Sequence, residues 1–173
     1  MRYSVTLLIM TLLLVSVTVR SQQKSADFSG KWQLNKEMSD LGPGRDGKKR
    51  KPRSSRLIVE QDEKNLKVTI VRKNKDGKEK KDKMKYSLEG KKSKNKTDFG
   101  KRESTVKWLE GGQVLEILSS MHVKRGDMEF DMESTATWAM VEGRLVIESI
   151  RYTPRGEMLT LAVYDRASDQ DEK

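Results

Sequence analysis

Few side chains of this sequence could carry out covalent or acid–base chemistry. The chain has no cysteine, and His122 is its only histidine. Apolar and polar residues alternate around it, so His122 shares a strand face with Glu116 and not with Leu115 or Ile117. An exposed histidine that lacks a nucleophile or base within hydrogen-bond reach is not catalytic. The sequence therefore predicts a protein that is not an enzyme and has no catalytic residue.

Residues that could hold a cofactor or a metal ion are equally sparse. Glu129, Asp131 and Glu133 form a row of carboxylates, but strand spacing keeps alternate side chains apart, and calcium needs about six oxygens. The sequence contains no phosphate-binding glycine loop, and the tripeptide 125–127 (Arg-Gly-Asp) consists of ordinary turn residues. We expect no metal and no cofactor, and we interpret the carboxylates as a solvated strand face.

The densest charge lies in the segment RDGKKRKPRSSR, residues 45–56, which has the composition of a nuclear-import signal or a phosphate-binding arm. A second basic stretch covers residues 72–85. Proteins that bind single-stranded nucleic acid interleave aromatic residues with basic ones. Neither 45–56 nor 72–83 contains an aromatic residue. We expect no specific nucleic-acid partner.

Charge is distributed unevenly along the 173 residues, whose formal net charge is +10. Residues 22–102 carry 26 basic and 12 acidic side chains, whereas residues 103–173 carry 8 and 14. Such asymmetry can steer an anionic partner to one side of the molecule, or it can simply keep the protein soluble. The sequence leaves both interpretations open.

The first 21 residues have the pattern of a signal peptide. Arg2 precedes an apolar run over residues 5–19, which is shorter than the roughly 20 residues that span a bilayer. We expect cleavage between Ser21 and Gln22, the alternative being an uncleaved anchor. The protein is then secreted or periplasmic, and the absence of cysteine suits a bacterial exported protein. A short tail (22–26) and an acidic disordered tail (167–173) are expected to flank one domain at 27–166.

Hydrophobic residues in this domain recur with a period of two, which is typical of strands with one dry face. In residues 128–140 the alternation is complete, with Phe130, Met132 and Trp138 on the apolar face. Short turns separate the runs, so neighbours should be antiparallel. The sequence predicts an all-β fold, a single up-and-down barrel of about eight to ten strands. The runs are 27–34, 56–61, 66–72, 83–88, 104–109, 113–123, 128–140, 144–152 and 157–164.

Three motifs resemble a group of bacterial exported lipocalin-like proteins. The opening DFSGKWQLNKEMSD contains the G-x-W of the first lipocalin strand at Gly30-Lys31-Trp32. Val59-Glu60-Gln61 and the segment KWLEG at 107–111 match the later strand and hairpin of that group. The resemblance covers residues 27–164 and implies a calycin-type barrel whose tryptophan closes one end. The basic insertions depart from the pattern of the group.

Strand alternation also selects candidate binding residues. Small Ser134 and Ala136 on the inward face could leave a cavity with methionine walls, although small barrels are often filled by side chains. The basic loops at one end would form an anionic-head rim around its mouth. The ligand-binding candidates are Phe28, Trp32, Tyr86, Trp108, Ile117, Met121, Phe130, Met132 and Trp138. The rim candidates are Lys48, Lys49, Arg50, Lys51, Lys75 and Lys78.

Two hypotheses follow for function. The first is an exported, monomeric binding protein for a small hydrophobic or amphipathic ligand with an anionic head. The alternative is an adaptor with a filled barrel that binds a polyanion or a membrane surface through its lysines and takes no small ligand. Neither hypothesis requires the chain to span a membrane after cleavage.

Overall fold

The computed structural model describes residues 24–43, 55–73, 77–98, 100–125, 128–154 and 156–167. The signal-peptide prediction and the acidic-tail residues 168–173 lie outside these ranges. None of the described residues forms a helix long and apolar enough to cross a membrane. The strands are β1 (Gly30–Asp40), β2 (Ser55–Gln61), β3 (Asn65–Lys73), β4 (Glu79–Ser87), β5 (Ser93–Thr97), β6 (Gly100–Leu109), β7 (Val114–Arg125), β8 (Met128–Val141), β9 (Arg144–Thr153) and β10 (Gly156–Arg166).

These ten strands form one antiparallel sheet that curls into a nearly closed up-and-down barrel, as the alternation predicts. The sheet order is β4-β3-β2-β1-β10-β9-β8-β7-β6-β5, so the first and last strands pair and the break falls between β4 and β5. We call this break the seam. Hairpin connections place the β2–β3, β4–β5, β6–β7 and β8–β9 turns at one end, which we call the closed end. The opposite ends of the strands form what we call the open end.

Two details of the strand prediction were wrong. The nine runs omit β5, whose sequence SKNKT has no apolar alternation because it pairs with β6 alone and lies at the seam. The predicted run 27–34 also ends too early, because β1 continues to Asp40. The pairing of β1 with β10 shifts between Asn35 and Asp40, where Asn35 Oδ1 accepts hydrogen bonds from the Glu37 and Met38 amides.

Side-chain hydrogen bonds bridge the seam where a backbone ladder would run. Asn95 Oδ1 accepts from the Lys85 amide at 2.8 Å, and Asn95 Nδ2 donates to the Lys85 carbonyl at 3.0 Å. Nearer the closed end the Ser87 amide donates to Ser93 Oγ at 2.8 Å. The Asn95 carboxamide thus reproduces the donor–acceptor pair of a neighbouring strand, which keeps the two edges together without direct pairing. A glycan on Asn95, part of the triplet Asn-Lys-Thr, is incompatible with this bonding.

Candidate functional site

Aromatic rings plug the closed end of the barrel. Trp32 and Phe28 are fully buried. The Phe28 ring stacks on Trp108 with centroids 6.0 Å apart and meets Trp138 edge-on at 5.9 Å. Trp32 Nε1 donates to the Phe28 carbonyl at 3.0 Å, so the buried indole has its polar group satisfied. This end of the interior is filled.

The segment 24–29 crosses under the plug and is held by main-chain and side-chain bonds. The Ala26 amide donates to the Gly112 carbonyl, and Gln61 bonds both the Ala26 carbonyl and the Phe28 amide. The Arg166 guanidinium covers the Trp32 ring at 4.7 Å from the centroid. A Cβ on Gly30, whose φ is +144°, would lie 2.8 Å from Arg166 Nη1. The φ of +144° favours glycine at this position, and a Cβ there would displace the Arg166 guanidinium.

Above the plug, inward-facing side chains keep some accessible surface. Strand register places Ile70, Met84, Ala136, Ile147 and Ser149 on the inner face, midway along strands that are paired on both sides or lie at the seam. Each is only partly buried. Such positions lose nearly all solvent contact in a filled barrel. We call the part of the interior between the plug and the open end the lumen. The accessibility of these side chains favours a cavity there.

The lumen also contains guanidinium groups that the strand-by-strand prediction did not include. Arg102 lies opposite Met121 on the inner face, and Arg151 lies opposite Ser134, with its Nε shielded from solvent. Arg72 follows Ile70 on the same face and lies opposite Lys80. Asp82 is the one carboxylate that the described strands place on this face, and it contacts Arg72 at 3.5 Å. The lumen therefore has an excess of positive charge.

Arg102 lies where the apolar and charged parts of the lumen meet. Its Nη1 is 3.7 Å from Met84 Sδ, and the buried Tyr86 hydroxyl donates to the same sulfur at 3.0 Å. Burial raises the pKa of the Tyr86 phenol, and the Arg102 guanidinium offsets part of this rise. Tyr86 is thus a neutral hydroxyl beside a cation. The pair can bind an anionic group by charge and by hydrogen bonding.

A row of hydroxyls leads across the inner face to Arg151. Cross-strand register aligns Ser93, Ser104, Ser119 and Ser134 on successive strands from β5 to β8, with Arg151 next on β9. The hydroxyls of Ser104 and Ser119 are 2.8 Å apart. This row gives the lumen a polar belt between its apolar plug and its open end. The alternation along β6 and β7 could have predicted this row of serines, because Ser104 and Ser119 lie on the same strand faces as apolar neighbours.

The predicted binding residues fall into two groups in the structure. Phe28, Trp32, Trp108 and Trp138 build the plug, whereas the others line or border the lumen. Their contact with a ligand stays a prediction. The buried members are Phe28, Trp32, Tyr86, Ile117, Met121 and Trp138, and the partly buried ones are Trp108, Phe130 and Met132. Of the predicted rim, Lys78 is exposed, and Lys48, Lys49, Arg50, Lys51 and Lys75 lie outside the described residues.

His122 points outward, as predicted, with 55% of its side chain exposed. The structure adds that both ring nitrogens meet carboxylates on β8, Nδ1 with Asp131 and Nε2 with Glu129, each at 2.8 Å. The hydrogen bond to Asp131, and after it the one to Glu129, raises the pKa of the His122 imidazole. Within the described ranges, no three histidine, cysteine or carboxylate side chains are placed to hold a metal ion.

A separate groove of about 290 Å³ lies on the outer face of β6–β9. Its wall includes Leu118 and Tyr152, both substantially exposed, and outward-facing Thr105 and Thr135. Its lining also includes Ser104, Ser119 and Ser134, which strand register turns inward, so the groove lies directly behind the hydroxyl row of the lumen.

Comparison with known proteins identifies the architecture. No protein-family model matches the chain, and no curated protein sequence matches it. Among solved structures, zebrafish ileal bile acid-binding protein in complex with cholic acid is similar, with a TM-score of 0.54, 16% identity, and coverage of 81% of this chain and 98% of that one. Echinococcus granulosus fatty-acid-binding protein 1 is similar with a TM-score of 0.54, 14% identity, and coverage of 82% and 98%. The chain thus has the fold of a calycin-type β-barrel with ten up-and-down strands.

Proposed function

We propose that this protein binds a small amphipathic molecule with an anionic head inside the lumen. The observation that carries the proposal is the combination of partly accessible apolar residues and inward guanidiniums in one barrel. The bile acid- and fatty-acid-binding proteins named above share the fold, which makes a ligand in the lumen a reasonable expectation. The anionic head is inferred from this chain's own residues.

The electrostatic argument starts from the cost of burying charge. A guanidinium that is withdrawn from water needs an anion or several hydrogen-bond acceptors nearby. Arg72 has Asp82 at 3.5 Å, but the described strands place no second carboxylate on the inner face for Arg102. A carboxylate, sulfate or phosphate on a ligand would supply that charge, and guanidinium binds such groups in a bidentate manner. The head therefore belongs inside the barrel and not only at its rim.

The apolar part of the ligand would lie between Arg102 and the plug. Ile147 faces this space, Met84 and Met132 border it at the level of Arg102, and all three are partly buried. Methionine side chains adapt to irregular shapes, so this wall tolerates more than one tail. The stacked rings of Phe28 and Trp108 end the space, which limits the length of the tail.

Calorimetric titration with dodecanoate and with dodecanol tests both parts of the proposal. We expect the acid to bind more tightly than the alcohol. Arg102→Gln should weaken dodecanoate binding about 10- to 100-fold, as the loss of a charge-assisted hydrogen bond implies. Dodecanol binding should change little. Arg56→Gln is the matched control, because Arg56 faces outward and pairs with Glu79.

Two results would contradict the proposal. Equal affinity for dodecanoate and dodecanol would show that an anionic head does not contribute to binding. No binding of either, with an unshifted melting temperature in the presence of fatty acids and phospholipids, would favour the filled-barrel adaptor.

We further propose that the protein is an exported, monomeric carrier with no enzymatic activity, related to the bacterial exported lipocalin-like group. The support is the apolar run at residues 5–19, the resemblance of the G-x-W opening, and the absence of cysteine. Mass spectrometry of the protein recovered from the producing cells should give a chain that starts at Gln22. A chain in the cytoplasm that retains Met1 or Arg2 would contradict export.

A further inference from the structure

One outer wall of the barrel is covered by lysines. On the outward face of β3, β4 and β5, register leaves Glu79 as the only carboxylate among seven lysines. Lys67 lies directly opposite Lys85, and Lys83 and Lys81 follow along β4. We call this surface the lysine wall. Its lysines are Lys67, Lys73, Lys81, Lys83, Lys85, Lys94 and Lys96.

Most of this charge is not neutralised by the surrounding protein. Lys67 pairs with Glu60 at 3.6 Å, and Lys94 pairs with Glu103 at 3.2 Å. No carboxylate among the described residues forms an ion pair with Lys73, Lys81, Lys83, Lys85 or Lys96. Five of the seven lysines of the wall therefore remain unneutralised.

Protection of the sheet edges explains only part of this pattern. Lysines on β4 and β5 discourage pairing of these edge strands with other chains. However, β3 is paired on both sides, with β2 and with β4, and needs no such protection. Its Lys67 nevertheless faces Lys85, and like charges directly opposite each other destabilise a sheet. Edge protection does not explain this unfavourable pair of lysines, which suggests that the wall binds an anion.

The opposite wall carries the opposite charge. The outward faces of β7, β8 and β9 carry five carboxylates, against His122, Lys124 and Arg144. The barrel is therefore electrically bipolar. A negative surface would attract the lysine wall and repel the other side, which fixes one orientation. The five carboxylates are Glu116, Glu129, Asp131, Glu133 and Glu148.

We propose that the lysine wall is a docking surface for an anionic lipid bilayer. Lysine is a mobile point charge that suits the diffuse negative surface of a membrane, where each basic residue strengthens attraction. A single-stranded nucleic acid is disfavoured because the outward residues between the lysines, Thr69 and Val71 among them, are not aromatic. Such docking does not depend on a ligand in the lumen, so it is separate from the proposed function.

Co-sedimentation of the purified full chain with vesicles tests the proposal. The vesicles contain phosphatidylcholine alone or with 30% phosphatidylglycerol, a composition of about one anionic lipid in three. The apolar run at 5–19 would bind both kinds of vesicle, so the quantity compared is the difference in binding between acidic and neutral vesicles. The Lys81→Gln, Lys83→Gln, Lys85→Gln triple variant should lower this difference roughly 100-fold at low salt. A variant with Gln at Lys36, Lys107 and Lys124 has the same net charge and should lose much less.

The possible results separate the partners. Equal loss in both triple variants would overturn the proposal, since net charge alone would then act. Retained binding in the Lys81, Lys83, Lys85 variant, with loss only when residues 48–51 are changed to glutamine, would also overturn it. Sedimentation of the protein without vesicles would identify a second copy as the partner. Tighter binding of single-stranded oligothymidine than of acidic vesicles at equal salt would identify a nucleic acid.

Discussion

Asn95→Ala should destabilise the barrel by opening the seam. The Asn95 side chain is 8% exposed and makes two hydrogen bonds to the Lys85 backbone, at 2.8 and 3.0 Å. Each bond contributes about 0.5–1.5 kcal/mol, and a partly buried amide left without its acceptor adds to the loss. We expect the free energy of unfolding in urea, followed by tryptophan fluorescence, to fall by about 2–3 kcal/mol. Asn65→Ala, at the start of β3, where the side chain bonds Asp62 in the exposed turn before it, should cost less than about 1 kcal/mol.

Amide hydrogen exchange locates the same effect within the sheet. The Lys85 amide points into the seam, whereas the amides of Met84 and Tyr86 point toward β3 because successive groups alternate along a strand. In Asn95→Ala the Lys85 amide should exchange much faster, while Met84 and Tyr86 stay protected. Unchanged protection of Lys85, together with wild-type stability, would refute the role of Asn95 at the seam.

Two further predictions concern the plug and the outer histidine. Arg166→Gln removes the cation over buried Trp32 and should lower the free energy of unfolding by about 1 kcal/mol in urea; an unchanged midpoint would show that the contact contributes nothing. His122 should titrate above 6.5 in NMR, and Asp131→Asn should bring the midpoint back toward 6.5. Because its folded pKa is raised, the stabilising contribution is fully present below pH 6.5 and is lost as the pH rises through the folded pKa; a midpoint at or below 6.5 would contradict this.

Alternation of residue types was enough to predict the barrel. The run at 128–140 has one apolar and one polar face, and the structure pairs it on both sides as β8. Trp32 is buried on the inner face of β1, as predicted, whereas Phe28 is buried from the segment that precedes this strand. The resemblance to lipocalins implied the tryptophan at the closed end. It did not reveal Arg166, which reaches Trp32 from the far end of the chain.

The seam and the lumen charges could not be predicted in the same way. β5 lacks apolar residues because it lies at a sheet edge, where side-chain bonds from Asn95 replace part of the missing ladder. Arg102 and Arg151 lie among alternating residues, but charged residues are conventionally assigned to the wet face. Only cross-strand register shows that they share the inner face with Met121 and Ser134. Inward arginines at functional sites break the pattern that predicts the rest of the strand.

The central claim is that the ligand lies inside the lumen, and NMR of ¹³C-labelled methionine methyl groups tests it most directly. Met84, Met121 and Met132 face inward, whereas Met38 is 47% exposed on β1 and serves as the internal control. Titration with dodecanoate should shift the three inward methyl signals and leave that of Met38 in place. A shift confined to Met38, or no shift at saturating dodecanoate, would contradict the account.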